Sequence, residues 1–316
     1  MERQDVTIPV GGTTVAAWLT LPDGPGPHPA LVAAHGFAMT RACRLDAVAD
    51  AFAATGIATV VFDHRGFGDS GGEPQVLDIA QQRVDWTTVL AWARGRPELD
   101  PARIGLWGTS FSGGHVLHVA ARDPDLACVV AQVPFTDGPA TLRPARRREP
   151  GPRAGGGATG PSRADWVRHG LDLVRNALAD RLRAATGRPP LLVPVAGELG
   201  TGAVIAGPGA ERAIRMLVPD GVAWRNEVAA RIALELPRDR PGRDAGAIRC
   251  PLLVVVCTDD PVTPPAPARA AAAAAPRGEL VEYADLAHFD VYVGEGFARA
   301  NADQRAWLRR VLDLDG

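Results

Sequence analysis

The chain has 316 residues, 46 % of them hydrophobic and 22 % charged, with a formal net charge of −2. That length suits one large α/β domain carrying an insertion, and the near-balanced charge excludes a general nucleic-acid or acidic-surface partner. There is no lysine, every basic residue being arginine, which removes Schiff-base chemistry, pyridoxal-phosphate anchoring and the P-loop lysine.

In chain order, Val6, Ile8 and Val10, then Gly11-Gly12, then Val15, Ala17, Leu19 and Leu21 alternate as a hairpin does. Ala30 to Ala34 predicts a strand ending in His35-Gly36-Phe37. Leu45, Val48, Ala49 and Phe52 share a helical face that stops near Gly56, and Ile57 to Asp63 predicts the next strand. Ile79, Trp86, Leu90 and Ala93 mark a helix, and Leu126 to Val133 leads into a strand ended by Pro134. This alternation predicts a mostly parallel, doubly wound sheet with helices on both faces.

The pattern then breaks. Residues 143–163 are rich in Pro, Gly and Arg and read as a flexible surface segment. The Arg146-Arg147-Arg148 run could hold an anionic substrate or be a solvated linker. Val167, Leu171, Val174, Leu178 and Leu182 define an amphipathic helix, and Trp224 to Leu234 reads as a short one. The expected organisation is a core over residues 1–137, a largely helical cap over 138–245, and the rest of the core over 246–316. A cap excludes water and shapes a pocket. Met216, Leu217 and Trp224 are its candidate pocket residues.

The chemistry is written in Arg103-Ile-Gly-Leu-Trp-Gly108-Thr-Ser110-Phe-Ser-Gly-Gly114. A short apolar run ends in glycine, a serine stands at its tip, and small residues lead into a helix. This is a nucleophile elbow, where strain holds the hydroxyl clear of the sheet. Ser112 stands where the G-x-S-x-G pattern has its second glycine. A serine needs a histidine to take its proton and a carboxylate to orient that histidine. Downstream, the apolar run Pro251 to Cys257 ends in Thr258-Asp259-Asp260-Pro261-Val262-Thr263, and Glu279 to Tyr283 precedes Ala287-His288-Phe289. Asp260 is preferred over Asp259 as the orienting acid, because it directly precedes Pro-Val-Thr-Pro. His288 is the base by position. Of the other histidines, His28 and His169 are expected at the surface, His115 and His118 to pack or cap, and His64 to edge a pocket. The backbone N–H groups of Phe37 and Phe111 are the natural oxyanion donors.

On these residues the chain resembles the α/β-hydrolase superfamily, across roughly residues 5–137 and 246–314. Gly-Thr-Ser110-Phe-Ser-Gly, His35-Gly-Phe, Asp63-His-Arg-Gly-Phe-Gly-Asp-Ser-Gly, Asp260-Pro-Val and Ala-His288-Phe carry the resemblance. The phrasing is similar to the dienelactone-hydrolase and acetyl-xylan-esterase-like branch. Its Gly-x-Ser-Phe-x-Gly form is also similar to the cocaine-esterase and X-prolyl-peptidase branch.

The expected activity is hydrolysis of a small or medium, largely apolar carboxylic ester by Ser110, His288 and Asp260, with His35 and Trp224 lining the substrate. Acyl transfer, lactonisation or elimination on the same site is the alternative, and a non-catalytic binding protein is a third. No metal and no cofactor are expected. The expected partner is a small-molecule ester, with no nucleic acid or membrane, and a homodimer is compatible with the sequence. The scattered Cys43, Cys128, Cys250 and Cys257, without C-x-x-C, predict buried thiols. No signal segment and no membrane-length apolar run are seen, so a cytoplasmic location is expected.

Overall fold

The computed structural model describes residues 1–142 and 161–314. Its first elements are β1 (Glu2–Val10), β2 (Thr13–Leu21), β3 (His28–Ala34), α1 (Leu45–Ala53), β4 (Ala58–Phe62) and α2 (Ile79–Arg94). There follow β5 (Leu99–Thr109), α3 (Phe111–Ala120), β6 (Val129–Gln132) and α4 (Gly138–Thr141). The middle of the chain forms α5 (Arg163–Ala185), the two-residue strands β7 (Leu192–Val193), β8 (Ala196–Gly197) and β9 (Ile205–Ala206), α6 (Ala210–Arg215), and β10 (Val228–Ala229). The chain returns through β11 (Leu252–Cys257), α7 (Pro265–Ala274), β12 (Gly278–Tyr283) and α8 (Gly294–Val311).

Eight strands make one sheet in the order β1-β2-β4-β3-β5-β6-β11-β12. The β1–β2 hairpin is antiparallel and joins β4 antiparallel, while β4, β3, β5, β6, β11 and β12 run parallel. Side chains alternate across a pleated strand, so neighbouring residues serve opposite faces. Trp107, Val130 and Val255 bury on one face, with Phe52 and Trp307. Leu106, Val129 and Val254 bury on the other, with Trp86 and Phe62. Strands covered on both sides are near-continuously apolar, as Leu-Leu-Val-Val-Val-Cys in β11 is.

From β3 the chain moves outward to β4, then crosses back to β5 on the other side of β3. The loops after β3 and β5 therefore diverge at the carboxyl edge, and such a switch point is where open α/β sheets place their sites. The register sets Ala34 beside Gly108, so His35-Gly36-Phe37 and Ser110 leave the sheet side by side.

The segment between β6 and β11 differs from its expected form in two respects. Helix α5 exists, but its aliphatic residues point outward; its buried positions are His169, Ala177 and Asp180. His169 is thus enclosed, contrary to the surface position its polar neighbours suggested. Residues 224–234 do not form one helix. The N–H groups of Ala229 and Ala230 bond to Gln75 and Leu191, so helical bonding is given up for β10 and a 3₁₀ turn at Ala230–Leu234. The Arg146–Arg148 run lies outside the described residues. All four cysteines are free and buried, and no helix among the described residues is long and apolar enough to cross a membrane.

Candidate active site

Ser110 sits between β5 and α3 with φ 55° and ψ −117°. A side chain rarely adopts a positive φ, and the surroundings must over-determine it. Here they do so with main-chain bonds. Ser110 N–H donates to Gln132 O at 2.8 Å, and Ser110 O accepts from Phe135 N–H at 2.8 Å. Gly108 lets the helix return close to the strand, since a Cβ there would stand 2.3 Å from Ser112 O.

Ser110 Oγ lies 3.1 Å from His288 Nε2, and His288 Nδ1 lies 2.6 Å from Asp260 Oδ2. The carboxylate is acceptor-only when ionised, so Nδ1 carries the proton and the Nε2 lone pair faces the serine. Asp260 is itself held: its Oδ1 accepts from Val262 N–H and Thr263 N–H, each at 2.7 Å. Thr263 Oγ1 stands 2.9 Å from Asp260 Oδ2 and 3.0 Å from Val133 O, joining the acid loop to the end of β6. Asp259, the competing acid, is exposed.

Facing the serine is the loop after β3. A Cβ on Gly36 would fall 2.7 Å from the Ser110 Cβ, so only glycine lets this loop approach. Phe111 N–H opens α3, where no carbonyl one turn earlier can accept it. The Phe37 and Phe111 rings pack edge-to-face at 5.4 Å, and Phe111 continues onto Phe135. Phe289 packs on the His288 ring. The neighbourhood of the serine is thus rich in aromatic rings.

Ser112, which replaces the pattern's second glycine, has a distinct task. Its Oγ donates to His35 O at 2.5 Å and lies 3.2 Å from His64 Nε2. The hydroxyl proton is spent on the carbonyl, so His64 Nε2 must be the donor to Ser112. His64 in turn leaves Nδ1 3.7 Å from the buried Asp85 carboxylate. The sequence suggested His64 as a pocket edge; it is buried behind the elbow.

His35, expected to line the substrate, is also enclosed, at 3 % exposure. Its Nδ1 accepts the Gly36 N–H at 2.7 Å and its ring stacks on Tyr292 at 5.6 Å. Burial lowers its pKa to about 3, and the neighbouring His288 adds to the lowering. It therefore stays neutral and shapes the loop. Tyr292 is anchored in turn through Thr109 Oγ1 at 2.5 Å, and the bonds continue by Gln132 and Gln304 to Trp107.

Trp224 is half-buried, and its Nε1–H donates to Ala38 O at 2.9 Å, one residue past Phe37. Beside it, Gln75 Nε2 donates to Glu227 O at 2.5 Å. The segment Trp224–Ala229 thus straps the insertion to the core beside the loop that bears Phe37. Leu217 is buried, whereas Met216 is exposed. Behind the same loop, Arg41 ion-pairs with the buried Asp63 and with Asp69. Ser112, Thr263, Tyr292 and Arg41 were not named from sequence as contributors, because each acts through a partner distant in the chain.

Together these elements set a serine hydroxyl against a histidine that a buried carboxylate orients, which is equipment for acyl transfer. With this sheet beneath it, the arrangement defines a class, and the chain belongs to the α/β-hydrolase superfamily. Residues 11–146 match the X-Pro dipeptidyl-peptidase (S15) family, the second of the two branches its elbow resembles. The quorum-quenching protein AidA of Acinetobacter baumannii is 39 % identical, over 98 % of this chain and 95 % of its own. The thiohydrolase aneE of Aspergillus aculeatus is 34 % identical over 43 % of this chain and 42 % of its own. The polyketide transferase grgF of a Penicillium species is 29 % identical over 64 % of this chain and 60 % of its own. The crystal structure of GrgF superposes with a TM-score of 0.79, covering 99 % of this chain and 100 % of GrgF at 22 % identity. Two of these relatives are thus named for hydrolytic or transferring work.

Proposed function

We propose that this protein is a serine esterase or thioesterase that processes a largely apolar acyl group through an acyl-enzyme. The observation that carries the reading is the relay from Ser110 Oγ to His288 Nε2 at 3.1 Å and from His288 Nδ1 to Asp260 at 2.6 Å. Ser110 Oγ attacks the acyl carbon as its proton passes to His288 Nε2. Asp260 keeps the Nδ1 proton in place and stabilises the imidazolium. The carbonyl oxygen, now an anion, is received by the N–H groups of Phe37 and Phe111. His288 returns the proton to the leaving oxygen or sulfur, and water releases the acid by the same steps in reverse. The aromatic side chains Phe37, Phe111 and Phe289 favour an apolar acyl group.

A second reading, transfer of the acyl group to an alcohol, is favoured by the relative named as a polyketide transferase. The test is covalent labelling with a fluorophosphonate read by intact mass, beside turnover of a short ester, a lactone and a thioester. Labelling and turnover lost together in Ser110→Ala support the acyl-enzyme. Ester or thioester appearing with an added alcohol, in place of free acid, moves the assignment to transfer. Unimpaired turnover by Ser110→Ala overturns both readings.

A further inference from the structure

We infer that helix α5 is a homodimer interface, two copies packing antiparallel about a two-fold axis near Val174. Val167, Leu171, Val174, Leu178 and Leu182 share one side of this helix and are 44 to 67 % exposed. The exposure is fixed, because the opposite side is pinned. Asp180 is fully buried; it accepts from Leu191 N–H and Arg231 N–H and ion-pairs with the Arg231 guanidinium. Turning the stripe inward would break that buried pair, which is costly.

The occupant is read from the stripe's own pattern. Val167 and Leu182 are equally distant in sequence from the midpoint between 174 and 175, and so are Leu171 and Leu178. An antiparallel copy therefore sets 167 against 182 and 171 against 178, aliphatic on aliphatic. That is the self-complementarity a two-fold interface requires. Three of the five arginines on this helix are ion-paired. Arg168 pairs with Asp165, Arg175 with Asp172, and Arg181 with Glu235. The five side chains leave on the order of 500 Å² exposed, so two copies could bury at most about 1,000 Å² from the stripe alone, the threshold a biological interface has to clear. The inference is independent of the chemistry proposed for Ser110.

Sedimentation equilibrium on the full chain tests it. The expected result is a dimer, and Leu171→Asp with Leu178→Asp should raise its dissociation constant at least about a hundredfold by setting four carboxylates together. Turnover per chain should be unchanged. Cysteine pairs with a short bis-maleimide keep the test decisive if that variant folds poorly, since the native thiols are buried. Val174→Cys should cross-link with itself. Val167→Cys should not, yet should do so when mixed with Leu182→Cys. A natural chain that stays monomeric at high concentration overturns the inference, and so does equal self-linking of Val174→Cys and Val167→Cys.

Discussion

The strand-end site and the insertion beside it are built on different principles. At the strand ends each group of the site is fixed by at least two contacts. Ser110 is held by β6 and by the segment after it, Asp260 by two amides and a threonine, and His35 by Gly36, Ser112 and Tyr292. The insertion has strands of two residues, one long helix with an outward apolar side, and scattered ties to the core, from Trp224 to Ala38, Gln75 to Glu227, Arg83 to Asp239 and Gly242 to Thr136. The contrast teaches where precision resides: reacting atoms require fixed geometry, while an insertion beside them tolerates a looser one.

If the strand-end groups work as the geometry sets them, a heavy loss follows Asp260→Asn, second only to that of Ser110→Ala. This removes the charge that holds His288 in its tautomer, and kcat should fall on the order of 10⁴-fold with the fold retained. Steady-state kinetics with circular dichroism checks both halves.

Acid should also destabilise the strand-end region through His35. His35 titrates at about 3 when folded and near 6.5 when unfolded, so below pH ~6.5 only the unfolded chain takes up its proton. Stability is then lost as pH falls, by about 1.4 kcal/mol per pH unit from this group. Urea melts at about pH 7.5 and about pH 5 should show His35→Asn losing about 2 kcal/mol less than the natural chain.

Ser112→Ala probes the bedding more gently. It strands the His35 carbonyl and the His64 N–H, costing about 1–3 kcal/mol of stability. It should lower kcat roughly tenfold with little change in KM, because it loosens the loop that bears Phe37. If KM rises instead, the serine shapes the pocket and not the oxyanion loop.

The smallest effect belongs to the strap. Trp224→Phe keeps the ring and deletes the donor to Ala38, worth about 1 kcal/mol. A severalfold fall in kcat across all substrates would place its influence on the amide of Phe37. A fall that varies with acyl chain would place it in the pocket.

The strands, the elbow and the order Ser110, Asp260, His288 were legible because they rest on local signals: apolar runs, glycine punctuation and β-branched residues. The choice of Asp260 over Asp259 rested on the adjacent Pro-Val-Thr, and the structure sets its carboxylate toward His288. What sequence could not supply was pairing at distance. Ser112 meets His35 across 77 residues, and Trp107 meets Gln304 across 197. Periodicity found α5 but could not say which side faces the protein, because Asp180 and Arg231, 51 residues apart, decide that. His169 was misplaced for the same reason: its neighbours in sequence are polar, while its neighbours in space are not solvent.

The indole bond to Ala38 bears on how such a molecule diversifies. A cover that attaches at its own margins can be lengthened, shortened or replaced without disturbing the chemistry beneath it. Here one donor from the cover reaches the carbonyl next to Phe37. A variant cover that lacks an equivalent donor would inherit a slacker amide along with its new specificity. Exchange of covers between such proteins should therefore succeed most often where the graft carries this tryptophan with it.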